Sequence, residues 1–312
     1  MPEVADQQAL QQLQIAGITP FSTVDWPGKI SATLFMQGCP FRCPYCHNSG
    51  ILDPRVPGQV TWDQVWTLLR RRRGLLDGVV FSGGEALMQA PGALIAAFQE
   101  LKSRGFATGL HASGAYPRRL AELVQADAPA AVASTGPVAG LNAYGPAEEA
   151  SVSEDPAPLL DWVGLDVKAL PDQYAMVTGT PAAVNKVEQS LEVLASQSRV
   201  DWEARLTLWP GLLGEGRSKA LGYAEAAAGR EELLDYGRQV AKWAYDRGAR
   251  KFALQRYRVP AHVAADASGA GADGVPSETT LADAGIGSDL GWTDDQARAL
   301  LSPIGFDVLE IR

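Results

Sequence analysis

Apolar positions along this chain fall into two patterns that take turns. Short apolar runs, ISATLFM (30–36), GVVFSG (78–83), FATGLHA (106–112), WVGLDVKA (162–169), WEARLTL (202–208) and RKFALQRY (250–257), read as strands. The segments 61–73, 91–104, 116–126, 181–197 and 231–247 repeat their apolar residues at helical spacing, as Leu94, Ala97, Phe98 and Leu101 do. Strand alternating with helix is the signature of a parallel sheet covered by helices. Six such units are too few for a closed eight-fold barrel. The expectation is therefore an α/β fold, a partial (β/α)6 TIM-like barrel in one domain spanning 1–312, with working residues at the carboxyl ends of the strands.

Two stretches break the pattern. Residues 129–158 and 261–288 are rich in Ala, Gly, Pro, Ser and acidic residues and poor in large apolar ones, so they read as flexible insertions in loops. The tail TDDQARALLSPIGFDVLEIR reads as a helix capped by Thr293 and followed by a last strand.

Charge narrows the function. A net charge of −9 argues against binding nucleic acid or an anionic membrane surface, both of which select basic faces. The run Arg70–Arg73 is a local exception, read first as cations at a helix C-terminus and otherwise as a patch for an acidic partner. The start MPEVADQQALQQLQ is neither basic nor apolar, and no run reaches a membrane-spanning length; the expectation is a cytoplasmic protein.

All three cysteines of the 312 residues, Cys39, Cys43 and Cys46, lie in QGCPFRCPYCHNSG. They cannot form a disulfide framework, and a reducing compartment would preserve them as metal ligands. A structural zinc ion takes four protein ligands, and His47, adjacent to Cys46, is poorly placed to be the fourth. A cubane iron–sulfur cluster held by three thiolates would keep one iron open for a substrate or cofactor.

Further candidates sit at other predicted strand ends. In FSGGEALM (81–88), Gly83 and Gly84 let backbone groups approach a ligand closely and Glu85 can accept hydrogen bonds from an ammonium group. In GLDVKA (164–169), Asp166 and Lys168 point the same way off an apolar strand, which requires either an internal salt bridge or a ligand.

CxxxCxxC with Tyr45 before its last cysteine resembles the cluster loop of radical S-adenosylmethionine enzymes. The resemblance implies a 4Fe-4S cluster on Cys39, Cys43 and Cys46, with S-adenosylmethionine bound by Tyr45, Gly83, Gly84, Glu85, Ser113, Asp166, Lys168 and Arg205. Within this superfamily the DxK pattern of Asp166 and Lys168 resembles that of the glycyl radical activating enzymes, where Lys lies near the cofactor carboxylate and Asp near the ribose or a monovalent cation. One strand departs from the family pattern: GLHASG puts His111, Ala112 and Ser113 where an acidic residue, Thr and Asn are usual, which puts a cation site there in doubt. Gln255 and Arg256 match a later strand end of the same barrel.

The stretches 14–128, 159–260 and 289–312 resemble the activating proteins of anaerobic ribonucleoside-triphosphate reductase, including the segment STVDWPG at 22–28. That resemblance implies reductive cleavage of S-adenosylmethionine to a 5′-deoxyadenosyl radical and transfer of a hydrogen from a glycine of the partner reductase. The electron donor would be of flavodoxin or ferredoxin type. A radical enzyme acting on a small molecule, like the 7-carboxy-7-deazaguanine synthases, shares the same motifs and is the alternative. A non-catalytic metal or electron-transfer module is a third reading, opposed by Glu85, Lys168 and the missing fourth cysteine.

Overall fold

The computed structural model describes residues 7–129, 156–213, 225–258 and 292–312, so most of the expected insertion at 129–158 and all of that at 261–288 lie outside the described residues. The chain forms two compact units: 1–40, 50–165 and 192–202 make the first, and 41–49, 166–191 and 203–312 the second.

The first unit is built on β1 (Ile15–Ser22), β2 (Ser31–Met36), β3 (Gly78–Gly83), β4 (Ala107–Ala112) and β5 (Trp162–Asp166), of which Asp166 already belongs to the second unit. β2 to β5 pair in parallel in sequence order, as the alternation requires. β1 pairs antiparallel with β2, Ile15 opposite Met36 and Ser22 opposite Ser31, and is not among the expected strands. Its sequence IAGITPFS carries Gly17 and Pro20, which hide a strand from pattern reading and are tolerated on a sheet edge.

After the short helix α1 (Gln7–Leu10) ahead of β1, the connecting helices begin and end where local chemistry directs. Thr61 accepts from the Gln64 backbone N–H while the Gln64 side chain accepts from Thr61 N–H, a reciprocal cap that opens α2 (Trp62–Arg70). Pro91 and Pro117 occupy the first positions of α3 (Pro91–Ser103) and α4 (Pro117–Gln125), where a missing N–H costs nothing. α2 ends at Arg70, so Arg71 to Arg73 lie beyond it in the turn that follows.

Trp26, from the turn after β1, fills the interior beside Val80 and Trp162 and stacks on the Trp162 ring at 5.5 Å. It fits because β3 and β4 carry glycine beneath it; a Cβ on Gly78 or Gly109 would come within 2.9 Å of the indole.

The second unit contains the short helix α5 (Tyr174–Thr178), most of α6 (Ala183–Ala195), α7 (Glu225–Asp246) and α8 (Asp294–Leu301). It also holds β7 (Lys251–Arg256), β8 (Val308–Ile311) and all of β6 (Asp201–Leu208) beyond its first two residues. β6, β7 and β8 pair in parallel. Thr293 caps α8 reciprocally with Gln296, and the expected terminal strand follows as β8. No helix among the described residues is long and apolar enough to cross a membrane.

Candidate active site

In the first unit the chain leaves β2 at Met36 and turns at Gly38, whose φ of 95° suits glycine. The returning segment runs alongside: Gly38 N–H donates to Ile51 O at 2.8 Å and Cys39 N–H to Leu52 O at 3.1 Å. Buried glutamines brace this turn. Gln89 Nε2 donates to Gln37 O at 2.9 Å, Gln37 Nε2 donates to Asp53 O at 2.8 Å, and Gln14 N–H donates to Gln89 Oε1 at 2.9 Å.

The double glycine at the end of β3 packs on that same turn. Gly84 N–H donates to Met36 O at 2.9 Å and Glu85 N–H to Gly38 O at 2.8 Å. A Cβ on Gly84 would lie 2.1 Å from Gly38 O, and one on Gly83 2.2 Å from Met36 N. The sequence suggested close approach to a ligand at these glycines; the close neighbour that the structure shows is instead the backbone presenting Cys39.

Glu85 is 1% exposed. Its Oε1 accepts from Leu87 N–H at 3.0 Å, and its Oε2 accepts from both Ser113 N–H, at 2.8 Å, and the Ser113 hydroxyl. The carboxylate therefore ties the end of β3 to the end of β4, a bracing role beyond the ammonium contact expected from sequence. Tyr116 joins this corner without a sequence signal: burial raises its pKa, helped by the nearby Glu85 and Cys39 charges. Arg119 stacks on the Tyr116 ring and donates to Leu87 O and Gln89 O.

His111 lies deeper in the strands. Its Nε2 is 2.7 Å from Asp25 O, which can only accept, so that nitrogen carries the proton and Nδ1 faces the Ser82 hydroxyl at 2.9 Å. The carboxylate of Asp25 accepts from Thr33 Oγ1 at 2.6 Å. The histidine thus fastens the STVDWPG turn to β3 and β4.

Cys43 and Cys46 belong to the second unit, and Cys46 N–H donates to Cys43 O at 3.1 Å. Arg42 N–H donates to Thr178 O at 2.8 Å, seating the loop on the end of α5. Burial pushes the Cys43 thiol up, opposed by the positive charge of Lys168. Tyr45 is buried and its phenol pushed up by the same desolvation.

Lys168 Nζ donates to Asp166 Oδ2 at 3.0 Å, while Arg205 reaches Asp166 Oδ1 through Nε at 3.1 Å and Nη2 at 3.0 Å. Burial alone would pull the Lys168 ammonium down, but Asp166, with Tyr45 and Cys43, outweighs it and holds the group well above the usual lysine range. The Lys168 backbone N–H donates to Tyr174 Oη at 2.9 Å, a positioning contact the sequence did not announce. Of the two readings left open for Asp166 and Lys168, the salt bridge forms, with Arg205 as a third member.

Arg256 is engaged elsewhere, with Asp294 at 2.7 Å and over the Trp292 ring, and so anchors α8. Gln255 Oε1 accepts from Thr207 Oγ1 at 3.2 Å.

Residues 33–134 match the family model described as Radical SAM superfamily. Over 111 residues, 36% of this chain and 45% of the relative, the sequence is 32% identical to a Methanocaldococcus jannaschii protein bearing the name of a glycyl-radical enzyme activating enzyme. It is 35% identical over 32% of this chain and 43% of the pyruvate formate-lyase-activating enzyme of Clostridium pasteurianum. The corresponding enzyme of Staphylococcus aureus is 39% identical over 31% of this chain and 39% of its own length. The chain thus spans less than half the length of these curated relatives. Among solved structures, QueE from Escherichia coli aligns with 80% of this chain and 86% of its own at 14% identity and a TM-score of 0.37.

The matched family implies a 4Fe-4S cluster and S-adenosylmethionine, and each unit holds residues of fitting chemistry: in the first, Cys39 on a glycine-lined turn, and in the second, Cys43 and Cys46 with a lysine kept protonated beside Cys43, none of the three thiols being engaged in a disulfide. Among the described residues no three His, Cys, Asp or Glu side chains converge as for a single metal ion. Residues 33–134 are thus similar to the Radical SAM superfamily, and the curated relatives that the chain matches are named as glycyl-radical and pyruvate formate-lyase activating enzymes.

Proposed function

We propose that this chain is a cytoplasmic glycyl radical activating enzyme whose partner is an anaerobic ribonucleoside-triphosphate reductase. The observation that carries the reading is the group formed by Cys43, Lys168, Asp166 and Arg205, in which a carboxylate, itself fixed by a guanidinium, holds an ammonium protonated beside a cluster thiol. When bound, the cluster and S-adenosylmethionine would supply one electron and, on cleavage of the sulfonium, an adenosyl carbon able to take hydrogen from a glycine.

The chain's own residues have definable tasks. Cys39, Cys43 and Cys46 would hold three irons. Lys168 offers a charged donor suited to a carboxylate, and its backbone tie to Tyr174 with its bridge to Asp166 limits how far it can move. Gly83 and Gly84 let the turn after β3 sit directly behind Cys39, and Glu85 with Ser113 fixes that turn. Tyr45 and Phe41, both buried, line the loop with apolar surface and exclude water. An electron donor of flavodoxin or ferredoxin type completes the requirement.

Anaerobic reconstitution with iron and sulfide, followed by electron paramagnetic resonance with the reductase present, tests the proposal. A glycyl signal is expected for the wild type and none for Cys43→Ala. A glycyl signal that survives loss of Cys43 would refute it.

A further inference from the structure

We propose that Trp209, at the end of β6, is a positioning residue that holds Tyr45, and through it Cys43 and Cys46, in place. Only the consequence for a bound cluster rests on the function proposed above.

The geometry is that of a clamp. β6 ends at Leu208, and the chain turns at once through a short 3-10 segment, Pro210–Leu213, with Leu212 N–H donating to Trp209 O at 3.1 Å. This turn folds the backbone of Gly211 flat against the Trp209 indole. A Cβ at Gly211 would lie 2.1 Å from Cζ2 and 2.2 Å from Cη2 of that ring, so the sequence Trp-Pro-Gly packs on itself only because its third residue is glycine. The Tyr45 ring packs against the same indole, with centroids 5.4 Å apart and planes at 42°.

Tyr45 sits between Cys43 and Cys46 in sequence, and the Cys46 to Cys43 backbone hydrogen bond makes the three residues one tight turn. Displacing the phenol therefore displaces the thiols. Trp209 itself is only partly buried, whereas Leu212 of the same turn is fully buried and Tyr45 is buried. Removing the indole should thus leave the fold nearly as stable and loosen the thiol turn selectively, because Leu212 keeps the 3-10 segment anchored.

The test is site-resolved alkylation of the full chain by iodoacetamide, read by mass spectrometry. An aromatic pair of this kind would shift local opening about two- to tenfold. Trp209→Ala should speed alkylation of Cys43 and Cys46 by that factor and leave Cys39, whose backbone is tied to Leu52, unchanged. Trp209→Phe should restore the wild-type rates. Gly211→Ala should act like Trp209→Ala, since its methyl cannot coexist with the indole in its present seat and would displace it without altering either aromatic residue. After anaerobic reconstitution, the same two alanine variants should lose iron to a chelator faster.

Unchanged rates at Cys43 and Cys46 in both alanine variants would overturn the assignment. So would an equal rise at all three cysteines with a fall in melting temperature, which would mean general loosening. A selective rise in a protein whose wild type takes up no iron would uphold the positioning role and refute the proposed function instead.

Discussion

Arg205 grips one oxygen of Asp166 through two nitrogens, at 3.1 and 3.0 Å, while Lys168 takes the other oxygen at 3.0 Å. Arg205 is 5% exposed, so its charge is balanced inside the fold by a carboxylate that keeps some contact with water. Both oxygens of that carboxylate already face cations of this chain, which is where the resemblance put a ribose or a metal cation.

Removing one member of a buried pair strands the other's charge, at about 3–5 kcal/mol; Asp166 is roughly one-third exposed and keeps its bridge to Lys168, so about 1–2 kcal/mol is expected for Arg205→Met. Arg205→Lys should recover part of this. The double variant with Asp166→Asn should cost less than the two single changes together, and urea unfolding of the four proteins measures the coupling.

Gly84→Ala and Gly92→Ala should move stability in opposite directions. The first places a methyl 2.1 Å from the Gly38 carbonyl, a backbone group that cannot swing aside, and should cost about 1–3 kcal/mol and impair iron uptake. The second meets nothing within 4 Å in the first turn of α3 and should stabilise by about 0.4–1 kcal/mol. Thermal melts of the two variants decide this, and equal behaviour would mean that the packing of Gly84 on Gly38 is not formed.

Much of this arrangement is legible in the chain. The strands at 78–83 and 202–208 and the cap at Thr293 follow from patterns set within a few residues, and the structure returns them almost unchanged. The candidate residues of the site could be picked out as well, because Cys, Gly-Gly-Glu and Asp-x-Lys are local spellings. What pattern reading cannot supply is which groups pair across distant segments. β1 escaped because Gly17 and Pro20 interrupt its alternation. Glu85 looked like a receptor for a ligand, and only the arrival of Ser113 from β4 makes it a brace. Tyr174 and Trp209 carried no signal, since an aromatic residue after a strand is ordinarily core.

Alkaline stability should depend on Tyr236. Its hydroxyl accepts from Leu170 N–H at 2.8 Å, and burial pushes its pKa up to about 12 from an ordinary 10.0. A group with a raised folded-state pKa contributes stability that is fully present below its unfolded value and lost as pH rises through the folded one. Unfolding free energy should therefore fall between about pH 10 and 12. Tyr236→Phe should lower stability at pH 8, through the orphaned Leu170 N–H, and flatten the decline above pH 10, as urea titrations at stepped pH would show. A variant as steep as the wild type would assign the decline to the other buried tyrosines.

Glu85→Gln separates bracing from ligand contact. The carboxylate accepts from three donors, Leu87 N–H on one oxygen and Ser113 N–H with its hydroxyl on the other. An amide keeps the shape but turns one of those acceptors into a donor, so an N–H must face an N–H wherever the new nitrogen sits. With the residue 1% exposed, water cannot relieve the conflict, and about 1–3 kcal/mol should be lost with no cofactor present. Ser113→Ala removes only the hydroxyl and leaves the backbone donor in place, so it should cost about 1 kcal/mol. If Glu85 served only a ligand, the unliganded Gln variant would melt with the wild type; if it braces β3 to β4, the melting temperature falls before any cluster or cofactor is added, in the order Glu85→Gln below Ser113→Ala below wild type.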